Sequence, residues 1–330
     1  MKVLVTGGAG YIGSHAVLEL LNNDYQVVVY DSLEMSTKVN LDEIEKMTGK
    51  TIDFVEGDIL DGEKLTQAIE QHKPEAVIHF AGYKNAGESV INPEKYYRNN
   101  VLGTFNVLNI MKQTGINKFV FSSTSAVYGD QTDKLPYTEV TTPNPISAYG
   151  KTKLTVEYIL KDYALAYGIS SVALRYFNAA GADISGKIGE EVKSTANIIP
   201  LIMENLLERK TGFSLFGDKY NTKDGTQERD YIHVTDLAKG HIKAIEKLLK
   251  DQGHFVYNLA TGSPSSNKTL ITLSEQVSGK NLQVKIVEPR AGDPVIVYAD
   301  ATKAKNELGW QAQNTIEDII KSAWNWHSSR

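Results

Sequence analysis

Met1-Lys2-Val3-Leu4-Val5-Thr6-Gly7-Gly8-Ala9-Gly10-Tyr11-Ile12-Gly13 opens the chain and decides its fold class. Val3, Leu4 and Val5 read as a buried strand, and Gly7, Gly8, Gly10 and Gly13 follow at once. Ile12, Ala16, Leu20 and Leu21 then take up helical spacing. Glycine permits a tight turn and lets a ligand approach the backbone closely. The helix that follows offers free N–H groups and the positive end of its dipole, which suit a pyrophosphate. Gly8, Gly10 and Gly13 satisfy G-x-G-x-x-G between a strand and a helix, the context that gives the motif its meaning. A second strand, Gln26 to Tyr30, runs into Asp31. A carboxylate there suits a ribose 2′-hydroxyl and repels the phosphate of NADP, so the expected cofactor is NAD.

Outward from that motif, short apolar runs alternate with helical stretches. Strands are expected at Val3–Thr6, Gln26–Tyr30, Asp53–Glu56, Ala76–Phe80, Lys118–Ser122 and Ser171–Arg175. Helices are expected at Ser14–Asn22, Gly62–His72, Lys95–Thr114 and Tyr149–Tyr167. The rhythm predicts an α/β, Rossmann-type, doubly wound parallel sheet. It breaks after Ala182, and the second half reads as a smaller α/β substrate domain. The division predicted is a dinucleotide-binding domain over residues 1–180 and a substrate domain over 181–330. A late strand near 256–260 is expected to return to the main sheet. Ile316, Ile319, Ile320, Ala323 and Trp324 share one helical face, as core packing requires.

The composition narrows the class of protein. The 330 residues are 41% apolar and 23% charged, ordinary for a globular chain that buries a core of its own. There is no cysteine, which excludes disulfides, thiolate metal sites and cysteine nucleophiles. No metal site is expected. With no apolar run of membrane-spanning length and a strand beginning at residue 2, the expected location is the cytoplasm. A net charge of −5 argues against nucleic acid as a partner. An acidic protein that holds an anionic ligand must place its cations locally, and Arg229 and Arg290 lie in the half without the glycine motif.

Tyr149 and Lys153 stand four residues apart at the start of a predicted helix, so both side chains share a face. An ammonium and a cationic nicotinamide ring nearby favour a phenolate, which can take a proton from a sugar hydroxyl as hydride leaves the same carbon. About 25 residues earlier, Lys118–Phe121 runs into Ser122, Ser123, Thr124 and Ser125. Ligands of open α/β sheets bind at the carboxyl ends of the strands, where these hydroxyls would share the reacting oxygen with Tyr149. Taken alone, they also fit an ordinary hydroxyl-capped turn.

Thr6–Gly13, Phe121-Ser122-Ser123-Thr124-Ser125-Ala126-Val127-Tyr128-Gly129 and Tyr149-Gly150-Lys151-Thr152-Lys153 resemble the extended short-chain dehydrogenase/reductase superfamily. Gly57-Asp58-Ile59, His79-Phe80-Ala81-Gly82, Gly87-Glu88-Ser89-Val90, Arg175-Tyr176-Phe177-Asn178 and Arg229-Asp230-Tyr231-Ile232-His233-Val234 narrow the resemblance to its UDP-glucose 4-epimerase family. It runs in order along essentially the whole chain. The resemblance implies Tyr149 as base and acid, Lys153 as its pKa modulator and Thr124 as hydroxyl partner, where many members have serine. It implies NAD contacts at Gly7, Gly10, Tyr11, Ile12, Asp31, Asp58, Ile59, Phe80, Ala81, Lys84, Asn99 and Lys153. For a UDP-sugar substrate it implies Thr124, Tyr149, Asn178, Asn197, Phe216, Arg229, Arg290 and Asp293. The two arginines make physical sense, because a guanidinium matches diphosphate geometry and stays charged.

Val297 falls where the family carries a residue that gates sugar size, so UDP-N-acetylglucosamine is an expected further substrate. A homodimer through the two long helices is expected as well. Val101, Phe105, Leu108 and Met111 would equally well pack on the sheet. Two rival functions share this fold. A 4,6-dehydratase on this fold would carry Asp-Glu after the threonine, where this chain has Ser125 and Ala126. A non-catalytic NAD sensor could dispense with the tyrosine–lysine pair, which this chain keeps.

Overall fold

A computed structural model describes residues 1–191, 197–289 and 294–330. Its centre is a seven-stranded parallel sheet. In chain order the first six strands are β1 (Lys2–Thr6), β2 (Gln26–Asp31), β3 (Asp53–Glu56), β4 (Ala76–His79), β5 (Lys118–Ser122) and β6 (Ser170–Tyr176). Smaller strands follow: β7 (Asn178–Ala180), β8 (Phe213–Phe216), β9 (Glu228–Arg229) and β10 (Tyr231–His233). The chain then returns to the main sheet with β11 (His254–Leu259) and finishes with β12 (Ser265–Ser266), β13 (Val284–Val287) and β14 (Ile296–Val297).

The spatial order is β11-β6-β5-β4-β1-β2-β3, so the winding reverses between β1 and β4. That reversal opens a crevice at the strand ends, where ligands of doubly wound sheets bind. Alternation along the strands explains the layers. Val3, Val5, Val27, Val29 and Ile78 face one core, which the helices Tyr11–Asn22 and Val234–Lys250 cover with Val17, Leu21, Leu237 and Ile245. Leu4, Val28, Val77, Phe119 and Phe121 face the other, covered by Leu65, Leu108, Met111, Val156 and Leu160. Both faces are dry, as an all-parallel sheet requires. A third core joins Ile202, Met203, Phe213, Leu270, Ile319 and Ile320 in the second half of the chain.

The structure departs from the sequence reading in detail. Helices Val39–Thr48 and Val234–Lys250 are additional. The single helix expected over 95–114 is three pieces: α-helix Pro93–Tyr96, a π-helical stretch Tyr97–Gly103, and α-helix Thr104–Thr114. A stretch of wide turns is invisible to a 3.6-residue pattern. In that segment Leu108 and Met111 are fully buried, whereas Phe105 stays exposed. At the chain's end Ile319, Ile320 and Ala323 are core as expected, with Trp326 buried more deeply than Trp324. No helix among the described residues is long and apolar enough to cross a membrane.

Candidate active site

The glycine turn sits against the end of β4. Gly7 has φ +71°, and a Cβ there would lie 2.6 Å from the Ala81 backbone nitrogen. Gly13 meets the Gly7 carbonyl so closely that no side chain fits between helix and turn. The cradle is therefore shaped for backbone contact, as a pyrophosphate needs. Asp31, at the end of β2, is buried and already organises this turn. One carboxylate oxygen accepts from Ala9 N at 2.9 Å, and the other from Leu33 N at 2.9 Å and Ser36 Oγ at 3.0 Å. Tyr11 donates to the Gly181 carbonyl at 2.6 Å, which ties the helix start to the segment after β7. These residues fit a dinucleotide with an unphosphorylated ribose.

Around the crevice, Asp58 is exposed beside buried Ile59, which packs against Gly103. Phe80 is half-buried with its ring centroid 4.6 Å from that of His241. Asn99 lies in the π-helical stretch and donates to the Asn100 side chain at 3.1 Å. Asn100 in turn holds the Tyr83 backbone by both N–H, at 2.9 Å, and carbonyl, at 3.0 Å. Lys84 and Asn197, assigned to different ligands by resemblance, share one carboxylate. Glu190 lies 3.3 Å from Lys84 Nζ and 3.0 Å from Asn197 Nδ2.

The reactive constellation assembles at the end of β5. Ser147 caps the helix Ala148–Tyr167 by accepting from Gly150 N at 3.1 Å, and this fixes where Tyr149 begins its turn. Tyr149 N donates to Ser89 Oγ at 3.0 Å. The Thr124 side chain is close enough to that of Tyr149 to lower its pKa, and one turn on Lys153 Nζ donates to the Ser122 carbonyl at 2.8 Å. Ser122 Oγ hydrogen-bonds the Tyr176 hydroxyl. Sequence reasoning did not single out Ser89, Asn100, Glu157 or Tyr176 as site residues. Ser89 and Tyr176 lay inside motifs that carry the resemblance, and Glu157 lies four residues beyond Lys153 on the same helical face.

Burial dominates the electrostatics that the protein alone sets here. Burial raises the Tyr149 pKa, and only the Thr124 hydrogen bond pulls it down. Lys153 is buried with its own pKa lowered to about 8 by desolvation, and its head is turned to the Ser122 carbonyl. The protein by itself thus holds Tyr149 as a neutral phenol. Close by, His79 is kept neutral, its pKa lowered to about 3 by burial and by Lys153, and bridges Thr6 and Thr104.

The remaining expected contacts lie on other elements. Asn178 opens β7 and donates to the Asp230 carbonyl at 3.0 Å. Phe216 ends β8, half-buried. Arg229, on β9, donates to the Pro294 carbonyl at 2.5 Å and the Val295 carbonyl at 3.1 Å, so it grips the strand that carries Val297. Val297 pairs in register with Arg229 and is 9% exposed within an apolar cluster that includes Val127, Phe177 and Ala299. Arg290 and Asp293 fall outside the described residues. No cluster of three or more His, Asp or Glu suited to a metal ion occurs among the described residues.

The NAD dependent epimerase/dehydratase family model matches residues 3–260. The chain belongs to that family. A UDP-glucose 4-epimerase from Bacillus subtilis is 45% identical over 100% of this chain and 97% of that protein. Among solved structures, the UDP-glucose 4-epimerase of Stenotrophomonas maltophila, with bound NAD and formylated UDP-arabinopyranose, superposes with a TM-score of 0.96. It is 39% identical and covers 100% of this chain and 98% of that one. The UDP-glucose 4-epimerase of Bifidobacterium longum, in complex with NAD+ and UDP, gives 0.95 at 41% identity, covering 100% and 98%. The likeness to these members of the epimerase/dehydratase family extends through both halves of the chain.

Proposed function

We propose that this chain is an NAD-dependent epimerase that interconverts UDP-galactose and UDP-glucose by inverting C4 of the hexose. The observation that carries the reading is the hydroxyl pair Thr124–Tyr149 at the end of β5, beside a glycine cradle that backbone and ligand alone can share. Full-length likeness to UDP-glucose 4-epimerases supports the same reaction.

Bound NAD supplies the hydride acceptor and a positive charge. As the phenolate that this charge and the Lys153 ammonium favour, Tyr149 takes the proton of the C4 hydroxyl as C4 is oxidised, and Thr124 holds the same oxygen. The resulting 4-keto sugar presents its other face, hydride returns to C4, and Tyr149 gives back the proton. Lys153, its head anchored to the Ser122 carbonyl, is the pKa modulator of Tyr149. Because the hexose must turn, the grip belongs on the nucleotide. Asn178, Asn197, Phe216, Arg229, Arg290 and Asp293 are the residues for it, with the arginines on the diphosphate. The cofactor residues are those of the glycine turn with Asp31, Asp58, Ile59, Phe80, Ala81, Lys84 and Asn99. Residues 1–180, together with the helix Val234–Lys250 and β11 that complete the main sheet, would then hold the cofactor, and the rest of 181–330 most of the contacts to the nucleotide.

Val297 in place of a bulky aromatic side chain supports entry of N-acetylated UDP-hexoses. Exposed Tyr97, Leu102 and Phe105 on one long helix segment and Tyr158 on the other support a homodimer through these helices. A cytoplasmic location agrees with a chain free of cysteine.

The test is incubation with UDP-galactose without added reductant, followed by product separation. An equilibrium mixture containing UDP-glucose is expected. A 4-keto-6-deoxy product would instead mean dehydration, and no product with NAD added would leave only binding.

A further inference from the structure

The helix Ala148–Tyr167 and the end of β5 meet through three successive contacts. Tyr149, Lys153 and Glu157 are spaced by four, so they rise along one helical face. Tyr149 meets Thr124, Lys153 Nζ donates to the Ser122 carbonyl, and Glu157 Oε1 accepts from Ser123 Oγ at 2.5 Å. The third contact is backed by an ion pair. Arg175 on β6 donates to Glu157 through Nε at 3.1 Å and through its NH2 nitrogen at 2.6 Å. Its other amino group donates to the Tyr128 hydroxyl at 3.1 Å, and Tyr128 donates to Asn258 at 2.6 Å on β11.

Ser123 and Tyr128 flank the segment that carries Thr124. At Ser123 the chain leaves the sheet, and from Ser125 to Val127 it forms a single 3₁₀ turn. Arg175 and Glu157 therefore hold that segment from before and after the reactive hydroxyl. All of these side chains are buried: Ser123 and Tyr128 have no exposed surface, and Glu157 and Arg175 retain 4% and 5%. A buried ion pair is poor evidence of stabilisation, since apolar residues of like volume fill such a space at least as well. Here the pair also spends an acceptor on the residue next to Thr124.

We propose that Glu157, locked to Arg175, is a positioning residue for the C4 chemistry: through Ser123 it fixes where the Thr124 hydroxyl meets Tyr149. This rests on the proposed epimerase reaction. A misplaced Thr124 would loosen the hydrogen bond that opposes the burial-driven rise of the Tyr149 pKa. A change in geometry at second remove would thus appear in the pH profile as well as in the rate.

The experiment compares the parent, Ser123→Ala, Glu157→Gln and the double variant, measuring kcat, KM and the acid limb of the kcat profile. Ser123→Ala removes only the linking hydroxyl, so it decides alone if Glu157→Gln does not fold. Expected for each single variant is a kcat lower by about tenfold with KM within about twofold. The acid limb should move up by about half a pH unit. In the double variant the losses should not multiply, because both act through one contact. An active parent with an unchanged limb in Ser123→Ala, or multiplicative losses, overturns the positioning role. A parent without turnover removes the epimerase reading and this proposal with it.

Discussion

Lys153 Nζ donates to the Ser122 carbonyl oxygen across 2.8 Å, so the ammonium one helical turn from Tyr149 is fixed to the end of β5. Burial lowers the Lys153 pKa to about 8 even though this bond favours the ammonium. They also define what the tyrosine can do without help: it stays a phenol until another charge arrives.

Tyr149→Phe keeps the ring and removes the group that moves the proton. Its kcat should fall by about 10² or more, the range for loss of a general acid–base. NAD released on denaturation should match the parent, because the glycine turn is untouched. Turnover with absorbance of released NAD checks both; parent-like kcat would unseat Tyr149.

Lys153 also predicts how stability depends on pH. Its folded pKa, about 8, lies below its ordinary value of 10.5. Between these values the unfolded chain binds more protons, so this residue makes stability rise with pH from about 8 towards 10. The gain should be on the order of 2 kcal/mol over that window. Buried tyrosines with raised pKa values, such as Tyr149, act in the opposite sense above about 10. Denaturant unfolding of the parent and Lys153→Met from pH 7 to 10 checks it: the variant's curve should be flatter over that window.

Gly7→Ala forces a side chain into a left-handed conformation at φ +71° and against the Ala81 backbone at 2.6 Å. A loss of about 1–2 kcal/mol in stability is expected from the conformation alone. Retention of NAD should fall further, because β1 and β4 must move apart at the crevice. Melting temperature and cofactor content after purification report the two effects separately.

How much of this was legible in the sequence differs from element to element. The parallel sheet was, because Val3–Thr6, Gln26–Tyr30 and Lys118–Ser122 are apolar runs bounded by turn residues, and glycines mark the first crossover. The meeting of Tyr149 and Lys153 with the end of β5 was, because the two lie four apart and a hydroxyl run ends that strand, while the choice of Thr124 within the run came from the resemblance. The π-helical stretch 97–103 was not, since its wide turns break the period by which helices are read. Nor was the Glu157–Arg175 pair. It joins a helix to a strand 18 residues away, and only the fold brings them within 2.6 Å.

Val297 lies in register with Arg229 and is nearly buried. Val297→Tyr should cost some stability through overpacking, on the order of 1–3 kcal/mol. The informative quantity is therefore the ratio of turnover on UDP-N-acetylglucosamine to that on UDP-glucose. It should drop about tenfold or more as the larger ring fills the space. An unchanged ratio would remove Val297 from the specificity of the site.

In the proposed reaction one hydrogen leaves C4 and returns to it within a single site. Its most direct test is UDP-galactose deuterated at C4, incubated in ordinary water without added reductant. UDP-glucose that retains deuterium at C4 is expected. Protium at C4 of the product, or a 4-keto-6-deoxy sugar in its place, would contradict it.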